Sequence, residues 1–359
     1  MTVKNIKRTI LPDVSFITTV FNEEVNIIEF LRSLMEQSHV PGEIILVDGG
    51  SEDKTFKVTS DFFKNEISRK YGGLKMVFNG NKKIKAKKHK SGSTPAVNIR
   101  LIRKAGANIS QGRNNAIKST SGRIICVSDA GCILDKNWLK EITSFYSDSS
   151  CSIVGGLNLP FCRSFIQKCL AVCIMPLEKE IKAEKYMPSS RNISFKRKVW
   201  VDAGGYPEDM EYGEDMRFNF NIKAAGYQIR FNPKAVVYWK MRESLGQIFR
   251  QFFRYAKGDA DGRMYPYRHI IRFAALLAFL IILLSAFYFS KWILAALLPL
   301  FILYVLRPYG RLIRNWSGKG SCTFSRTESF LSILVIPFLL LQIDFSKMCG
   351  YIYGLFRKI

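Results

Sequence analysis

The stretch VSFITTVFNEEVNIIEFLRSLMEQ, residues 14–37, decides the reading of this chain. Its opening VSFITTV is rich in β-branched and apolar residues, which suit a buried, pleated strand. Asn22, Glu23 and Glu24 interrupt it, and then Ile27, Ile28, Leu31, Leu34 and Met35 recur at helical spacing. Downstream, Glu43–Val47 (EIILV) reads as a second strand that stops at Asp48-Gly49-Gly50-Ser51. Arg123–Ser128 (RIICVS) reads as a third, stopping at Asp129-Ala130-Gly131. Strand, helix, strand order predicts an α/β domain with a mostly parallel sheet and helices on both faces. Ligands of such sheets bind beyond the carboxyl ends of the strands. Asn22-Glu23, Asp48 and Asp129 all stand at such ends. One acidic turn is ordinary; three at equivalent places mark a candidate site.

The last third of the chain obeys different rules. Phe273–Phe289 (FAALLAFLIILLSAFYF) carries no charge, and Trp292–Leu306 and Phe330–Ile343 are nearly as apolar. Crossing a bilayer takes about 20 apolar residues, within a range of about 17 to 25. Three membrane helices near 273–289, 292–306 and 330–343 are therefore expected. Asp344 and Lys347 make the tail after Ile343 either re-entrant or interfacial. Arg307, Arg311, Arg314, Lys319 and Arg326 fall between the second and third runs, against the single acid Glu328. The positive-inside rule puts that loop, and the N-terminal region with it, on the cytoplasmic side of the plasma membrane. The opening MTVKNIKRTILPD has no apolar core segment, so no cleavable signal peptide is expected. The expected organisation is a soluble domain over 1–240, an amphipathic interface segment over 241–268 and a membrane region over 269–359.

Composition narrows the class. Lys and Arg number 54 against 29 Asp and Glu, a net charge of +25, yet 48% of residues are hydrophobic and 13% aromatic. A disordered tail protein would be poor in aromatics, so that class is excluded. Eight cysteines without a C-x-x-C pair exclude a disulfide-stapled scaffold and read as reduced, mostly buried thiols. Three histidines (His39, His89, His269) give no zinc-finger spacing. Cys162, Cys169 and Cys173 also fit no zinc pattern and read as helix packing. From Ile67 to Ser128 there are 15 Lys or Arg and no acid, including KKIKAKKHK at 82–90. The run lacks interleaved aromatics, which argues against a nucleic-acid stacking platform. Anionic membrane lipids are the better-matched partner, at about 1 kcal/mol per basic residue near the surface. A solvated loop explains the same charges.

Together these segments resemble the family 2 glycosyltransferases of GT-A fold, a Rossmann-like architecture. IILVDGGSEDKT is similar to that family's nucleotide-binding turn. ISQGRNNAIKSTSGRIICVSDAG resembles the segment leading to its D-x-D motif. GEDMRFNFNIKAAGY matches its acceptor-side motif, and QFFRYAKG its Q-x-x-R-W box, with Tyr255 in place of Trp. The membrane hairpin resembles that of the exopolysaccharide, succinoglycan-type members. The likeness covers residues 14 to about 260.

The resemblance implies sugar transfer, with inversion, from a nucleotide-diphosphate sugar to a lipid-linked or saccharide acceptor. It assigns Thr19, Glu23 and Asp48 to the donor's base and ribose, and Arg113, Gln251, Arg254 and Tyr255 to the diphosphate and the acceptor entrance. Asp129 would hold Mg²⁺ or Mn²⁺, although Gly131 replaces the last carboxylate of D-x-D. Asp215 would be the general base and Glu214 its orienting neighbour. Plainer readings exist: Asp48 suits its turn, Asp129 caps a strand, and acids open helices for capping alone. Two other functional readings stay open. One is transfer to a polyprenyl phosphate, which needs no base. The other is a non-catalytic nucleotide-sugar-binding membrane subunit.

Overall fold

The computed structural model describes residues 9–67, 75–78, 82–85, 97–316, 320 and 322–357. The chain divides into two units: residues 1–159 with 181–239, and 160–180 with 240–359. Of the basic run at 82–90, Lys82–Lys85 form a strand, and residues 86–90 lie outside the described residues.

The first unit is built on a ten-stranded sheet. In chain order its strands are β1 (Thr9–Val20), β2 (His39–Asp48), β3 (Lys75–Phe78), β4 (Lys82–Lys85), β5 (Asn98–Arg103), β6 (Ile124–Val127), β7 (Cys132–Leu134), β8 (Ile153–Phe161), β9 (Ile193–Lys196) and β10 (Arg230–Lys240). They are ordered β4-β3-β5-β2-β1-β6-β9-β8-β10-β7. The run β3-β5-β2-β1-β6 is parallel, while β4, β7 and β9 pair antiparallel with their neighbours. The helices, again in chain order, are α1 (Ile27–Met35), α2 (Thr55–Asp61), α3 (Ile109–Lys118), α4 (Trp138–Thr143), α5 (Phe165–Ile174), α6 (Arg197–Asp202) and α7 (Glu214–Ala224). All but α5 belong to the first unit.

Strand periodicity explains the layers. Phe16, Ile44, Leu46 and Cys126 enter one apolar cluster with Phe30, Leu31 and Leu34 of α1 and Trp138 of α4. Their neighbours in sequence, Ile17, Ile45, Val47, Ile125 and Val127, enter a second with Ala116 and Ile117 of α3 and Phe218 and Ile222 of α7. Successive residues of a strand point to opposite faces, so both faces are covered, as expected of a parallel sheet. Each buried large side chain is worth about 1.5–3 kcal/mol. Register then sets the site. Val20 lies opposite Asp48, Asp48 opposite Arg103, and Ile17 opposite Val127. Asp48 and Asp129 thus emerge along one carboxyl edge.

The strands outrun their sequence signals. β2 begins at His39, four residues before the apolar run, and its Pro41 pairs with Leu11 across an irregularity between Leu11 and Ser15. A Cβ on Gly42 would stand 2.6 Å from the carbonyl oxygen of Pro12, so glycine permits that approach.

In the second unit, among the described residues, three helical segments are long and apolar enough to cross a membrane: Pro266–Tyr288, Lys291–Trp316 and Arg326–Phe356. They follow α8 (Leu245–Asp261); α9 is Pro266–Tyr288, α10 is Leu297–Trp316 and α11 is Arg326–Phe356. The tail after Ile343 is the continuation of α11, because Asp344 does not interrupt it. Its carboxylate accepts from Arg272 Nε at 3.0 Å and from Tyr304 Oη at 2.8 Å. α5 docks against these helices: Lys168 Nζ donates to both Glu328 oxygens at 2.9 Å, and Arg311 Nη1 donates to the Val172 and Cys173 carbonyls at 3.2 Å.

Small residues let α8 and α11 meet backbone to backbone. Ser346, Gly350 and Gly354 are buried at four-residue spacing on α11. A Cβ on Gly350 would stand 2.1 Å from the Phe253 carbonyl oxygen, and one on Gly354 would stand 2.7 Å from Ala260 Cβ. Gly350→Ala is expected to lower the unfolding midpoint in detergent, at an overpacking cost of about 1–3 kcal/mol. Gly310→Ala, whose Cβ meets nothing within 4 Å among the described residues, is the matched control and should leave the midpoint unchanged or raised. Equal midpoints for the two variants would contradict the close-packed strip.

Candidate functional site

Two loops at the carboxyl edge clasp each other. Asn22, following β1, takes a left-handed conformation (φ 52°). Its amide donates to Ser51 Oγ at 3.0 Å, and its side-chain oxygen accepts from the Glu52 amide at 2.9 Å. The Glu23 amide donates to Thr55 Oγ1 at 2.8 Å, and the Glu24 amide to Asp53 Oδ2 at 3.2 Å. Asp53 also accepts from the Thr55 amide at the start of α2. The Glu23 carboxylate, half-buried, accepts from Asn26 Nδ2 at 2.9 Å. Sequence spacing therefore placed Glu23 and Asp48 on neighbouring loops, and the Asn22–Ser51 exchange fixes them there.

Asp48 is fully buried. Its Oδ1 accepts from the Ser51 amide at 3.0 Å and from Ser51 Oγ at 2.5 Å. Its Oδ2 faces Arg103 Nε at 3.6 Å, too far for a hydrogen bond, and has no hydrogen-bond partner among the described residues. Buried acceptors are normally satisfied, so this oxygen is an unfilled acceptor at the strand end.

Arg113 gathers the other acids. It sits on α3, whose first turn is closed by a capping box between Asn108 and Gln111. Gly112 lets α3 lie against β1, since a Cβ there would stand 2.7 Å from Thr19 Cγ2. Thr19 is thus half-buried against the helix that carries Arg113. The Arg113 side chain is 2% exposed, with Nη1 donating to Glu214 Oε1 at 2.6 Å and Nη2 to Asp129 Oδ1 at 2.9 Å. Its guanidinium lies over the Tyr206 ring at 5.2 Å. Burial opposes the Arg113 charge, but Asp129 and Glu214 outweigh it and raise its pKa, so it stays protonated. Burial and the Asp215 charge push the Glu214 carboxyl up to about 7, against the pull of Arg113.

Asp215 occupies the second position of α7, just after the left-handed Gly213 (φ 74°). Its Oδ1 accepts from the Met216 amide at 2.8 Å, and its Oδ2 is 3.4 Å from the Ser190 amide. It is half-buried, whereas Glu214 is 6% exposed. Asp129 keeps a third of its side-chain surface open (32%), and a Cβ on Gly131 would meet nothing within 4 Å. Among the described residues no group of three His, Cys, Asp or Glu is arranged to hold a metal. One free carboxylate edge beside open space still fits Mg²⁺ or Mn²⁺, which commonly take one or two carboxylates and complete their shell with phosphate oxygens and water.

Several residues of this cluster escaped the sequence. Asn114 Oδ1 accepts from Trp200 Nε1 at 2.9 Å and the Tyr206 amide at 3.0 Å, while its Nδ2 donates to the Tyr206 carbonyl and to Glu208 Oε1 at 2.8 Å. Tyr206 Oη pairs with Ser190 Oγ at 2.9 Å. Asn192 accepts from Trp138 Nε1 and donates to the Leu157 and Ala235 carbonyls, strapping β8 and β10. An asparagine beside the arginine of GRNN was the only local signal.

The structure brings together Arg113, Asp129, Glu214 and Asp215, with Thr19 on the adjoining strand. Gln251, Arg254 and Tyr255 belong to the second unit, on α8. There Gln251 Nε2 donates to Tyr255 Oη at 3.1 Å and its Oε1 accepts from Arg242 Nε at 3.1 Å, with Arg254 and Tyr255 exposed.

Similar proteins were found by sequence and by structure. Glycosyltransferase AglE of Haloferax volcanii is 24% identical over 254 residues, covering 69% of this chain and 73% of AglE. The poly-beta-1,6-N-acetyl-D-glucosamine synthase of Staphylococcus epidermidis is 22% identical over 257 residues, covering 69% of this chain but 55% of the synthase. This chain therefore spans little more than half of some of its curated relatives. Among solved structures, the mannosyltransferase PcManGT from Pyrobaculum calidifontis, in complex with GDP-Man and Mn²⁺, shares the fold. Its TM-score is 0.58 at 16% identity, over 94% of this chain and 87% of PcManGT. The model of glycosyl transferase family 2 matches residues 15–92, and that of glycosyl transferase family group 2 matches residues 126–313, just over half the chain. The chain belongs to the family 2 glycosyltransferases, enzymes that transfer sugars.

Proposed function

We propose that the protein is an inverting glycosyltransferase. It moves a sugar from a nucleotide-diphosphate donor to a hydroxyl of a lipid-linked or saccharide acceptor at the cytoplasmic face of the plasma membrane. The observation that carries this reading is the single buried guanidinium of Arg113 holding Asp129 on one side and Glu214 on the other. It ties the strand end that would face the diphosphate to the helix that would face the acceptor.

Each residue then has a task. The unfilled Oδ2 of Asp48 accepts from a base N–H or a ribose hydroxyl, with Thr19 and Glu23 beside it. Through its open edge Asp129 would hold Mg²⁺ or Mn²⁺, which would supply charge neutralisation at the leaving diphosphate. The Mn²⁺ and GDP-Man in PcManGT support both a metal and a nucleotide sugar. Asp215 takes the proton of the attacking hydroxyl as that oxygen bonds to the anomeric carbon and the diphosphate departs from the opposite face. Asp215 opens α7, in the positive field of that helix's N-terminus. Residues 1–240 form the catalytic domain. Residues 241–268 form the interface segment, where Gln251, Arg254 and Tyr255 serve the diphosphate and the acceptor entrance. Residues 269–359 anchor it, and the charge of the basic run KKIKAKKHK suits anionic lipid.

The test is donor turnover by detergent-purified protein with UDP- and GDP-sugars, measured as released nucleotide diphosphate with Mn²⁺ or with EDTA. EDTA and Asp129→Ala should each reduce release at least about a hundredfold. Turnover that survives EDTA removes the metal from the mechanism, and failure to bind any donor overturns the reading.

With membrane extract supplying acceptor, Asp215→Asn should slow transfer by about 10²- to 10⁴-fold at every pH. Substantial residual transfer would favour a polyprenyl phosphate as nucleophile, for which no base is required. Binding without turnover in the wild type would instead identify a nucleotide-sugar-binding subunit.

The pH profile has a defined sign. Arg113 stays charged throughout, whereas Glu214, facing Arg113, Asp215 and Tyr206, is protonated below about 7 and then loses its ion pair. Transfer should therefore rise with pH through about 7, and Glu214→Gln should flatten that rise. A Glu214→Gln profile with the wild-type rise would reject this assignment.

A further inference from the structure

The second unit contains a sulfur pair that the sugar-transfer reading does not use. Cys162 follows the end of β8, and Cys322 precedes α11. They are 160 positions apart in sequence, yet their Sγ atoms lie 3.0 Å apart. Ordinary nonbonded carbon contacts fall at about 3.5–4.0 Å, and a disulfide bond is about 2.05 Å long. The two sulfurs are thus within about one ångström of bonding.

Independent contacts hold each sulfur where it is. Cys162 Sγ lies 3.5 Å from the Gln167 carbonyl, and Gln167 closes a capping box with Ser164 at the start of α5. The Cys322 amide donates to Asn315 Oδ1 at 2.9 Å, at the end of α10. The bidentate Lys168–Glu328 pair and the Arg311–Glu180 pair, at 2.9 Å, join the same two segments on either side. Neither segment has to travel for the sulfurs to meet.

The electrostatics divide the pair: contact with Cys322 and burial push the Cys162 thiol up. Burial pushes the Cys169 thiol up to about 12 and raises those of Cys126 and Cys173 as well, which makes them poor nucleophiles. The Cys322 thiol moves the other way: its contact with Cys162 lowers it against the opposing effect of burial, and the Lys168 ammonium adds to the lowering. Cys162 remains partly open to solvent.

We infer that Cys162 and Cys322 form a reversible disulfide, a covalent modification site fastening the 160–180 segment to the loop ahead of α11. The oxidant is a small-molecule disulfide of the glutathione type. The Cys162 sulfur, the one open to solvent, gives up its proton and attacks one glutathione sulfur, breaking the glutathione S–S bond and releasing one glutathione thiolate. The buried Cys322 sulfur, giving up its proton, then attacks Cys162 and displaces the second glutathione. Two protein thiols are oxidised, one glutathione disulfide becomes two thiols, and the two protein protons end on them.

Full-length protein in detergent is incubated with oxidised glutathione, denatured, alkylated with N-ethylmaleimide and digested without reduction. Mass spectrometry is expected to show the Cys162 peptide joined to the Cys322 peptide in most molecules. Dithiothreitol should remove that species, and Cys162→Ser should lack it, while Cys126, Cys151 and Cys173 stay alkylated. The wild-type result alone decides the outcome, so a poorly folding variant cannot rescue the idea. Alkylation of both cysteines, separate glutathione adducts on each, or joining of either to another cysteine overturns it. Sugar transfer is not measured, so the two readings fail separately.

Discussion

The site depends on a positive charge placed where water cannot reach it. A lone guanidinium without partners inside a protein would cost several kcal/mol even after relaxation, and losing one partner of a buried pair typically costs about 3–5 kcal/mol. Arg113 is tolerable only because Asp129 and Glu214 both meet it, so the three positions are mutually enforced. β6 must deliver Asp129 to its end, α7 must start at Glu214, and α3 must lie close enough to reach both. Gly112 provides that closeness, and Asn114 ties α3 to the Tyr206 loop. Asp215 itself needs no such partner, which leaves it the half-buried carboxylate of the pair.

The rigidity of the loops after β1 and β2 has a separate source. The loops after β1 and β2 exchange hydrogen bonds through Asn22, Ser51, Asp53 and Thr55 instead of resting on apolar contacts. Asn22 takes its left-handed conformation readily, as asparagine does more than most residues. A polar clasp at a strand end leaves the neighbouring carboxylates oriented before a ligand arrives, which lowers the ordering cost of binding. The unfilled oxygen of Asp48 is affordable in that frame because Arg103 lies 3.6 Å away and offsets its charge.

What the sequence revealed follows from the range of the interactions. Periodicity and β-branching are local, so the three central strands and the acids at their ends were legible, and so was the pairing of Glu214 with Asp215 at a helix start. β2 was read short because Pro41 and Gly42 look like breakers; only the facing Pro12 backbone shows why a strand runs through them. β3, β4, β5, β7, β8, β9 and β10 were missed because their short or mixed runs owe their conformation to neighbours. Asn114, Tyr206 and Asn192 act across tens of residues, and no local pattern encodes that. The Arg113 contacts were half legible. An arginine near the diphosphate was expected, but its closure by two acids under Tyr206 was not.

The second unit meets the same constraint among apolar helices. Asp259, His269, Arg272, Asp344 and Tyr304 form a chain of contacts: Asp259 to His269 at 3.0 Å, His269 to Arg272 at 3.4 Å, Arg272 to Asp344 at 3.0 Å, and Asp344 to Tyr304 at 2.8 Å. Apolar helices gain little from one another that lipid does not also offer, so packing and polar contacts must choose their partners. Here the two devices divide the labour. Gly350 and Gly354 set how near α11 comes to α8, and the Asp344 contacts to α9 and α10 set its rotation. A charge that looks like an interruption in the sequence therefore continues the helix, because rotating it away would part Asp344 from Arg272 and Tyr304.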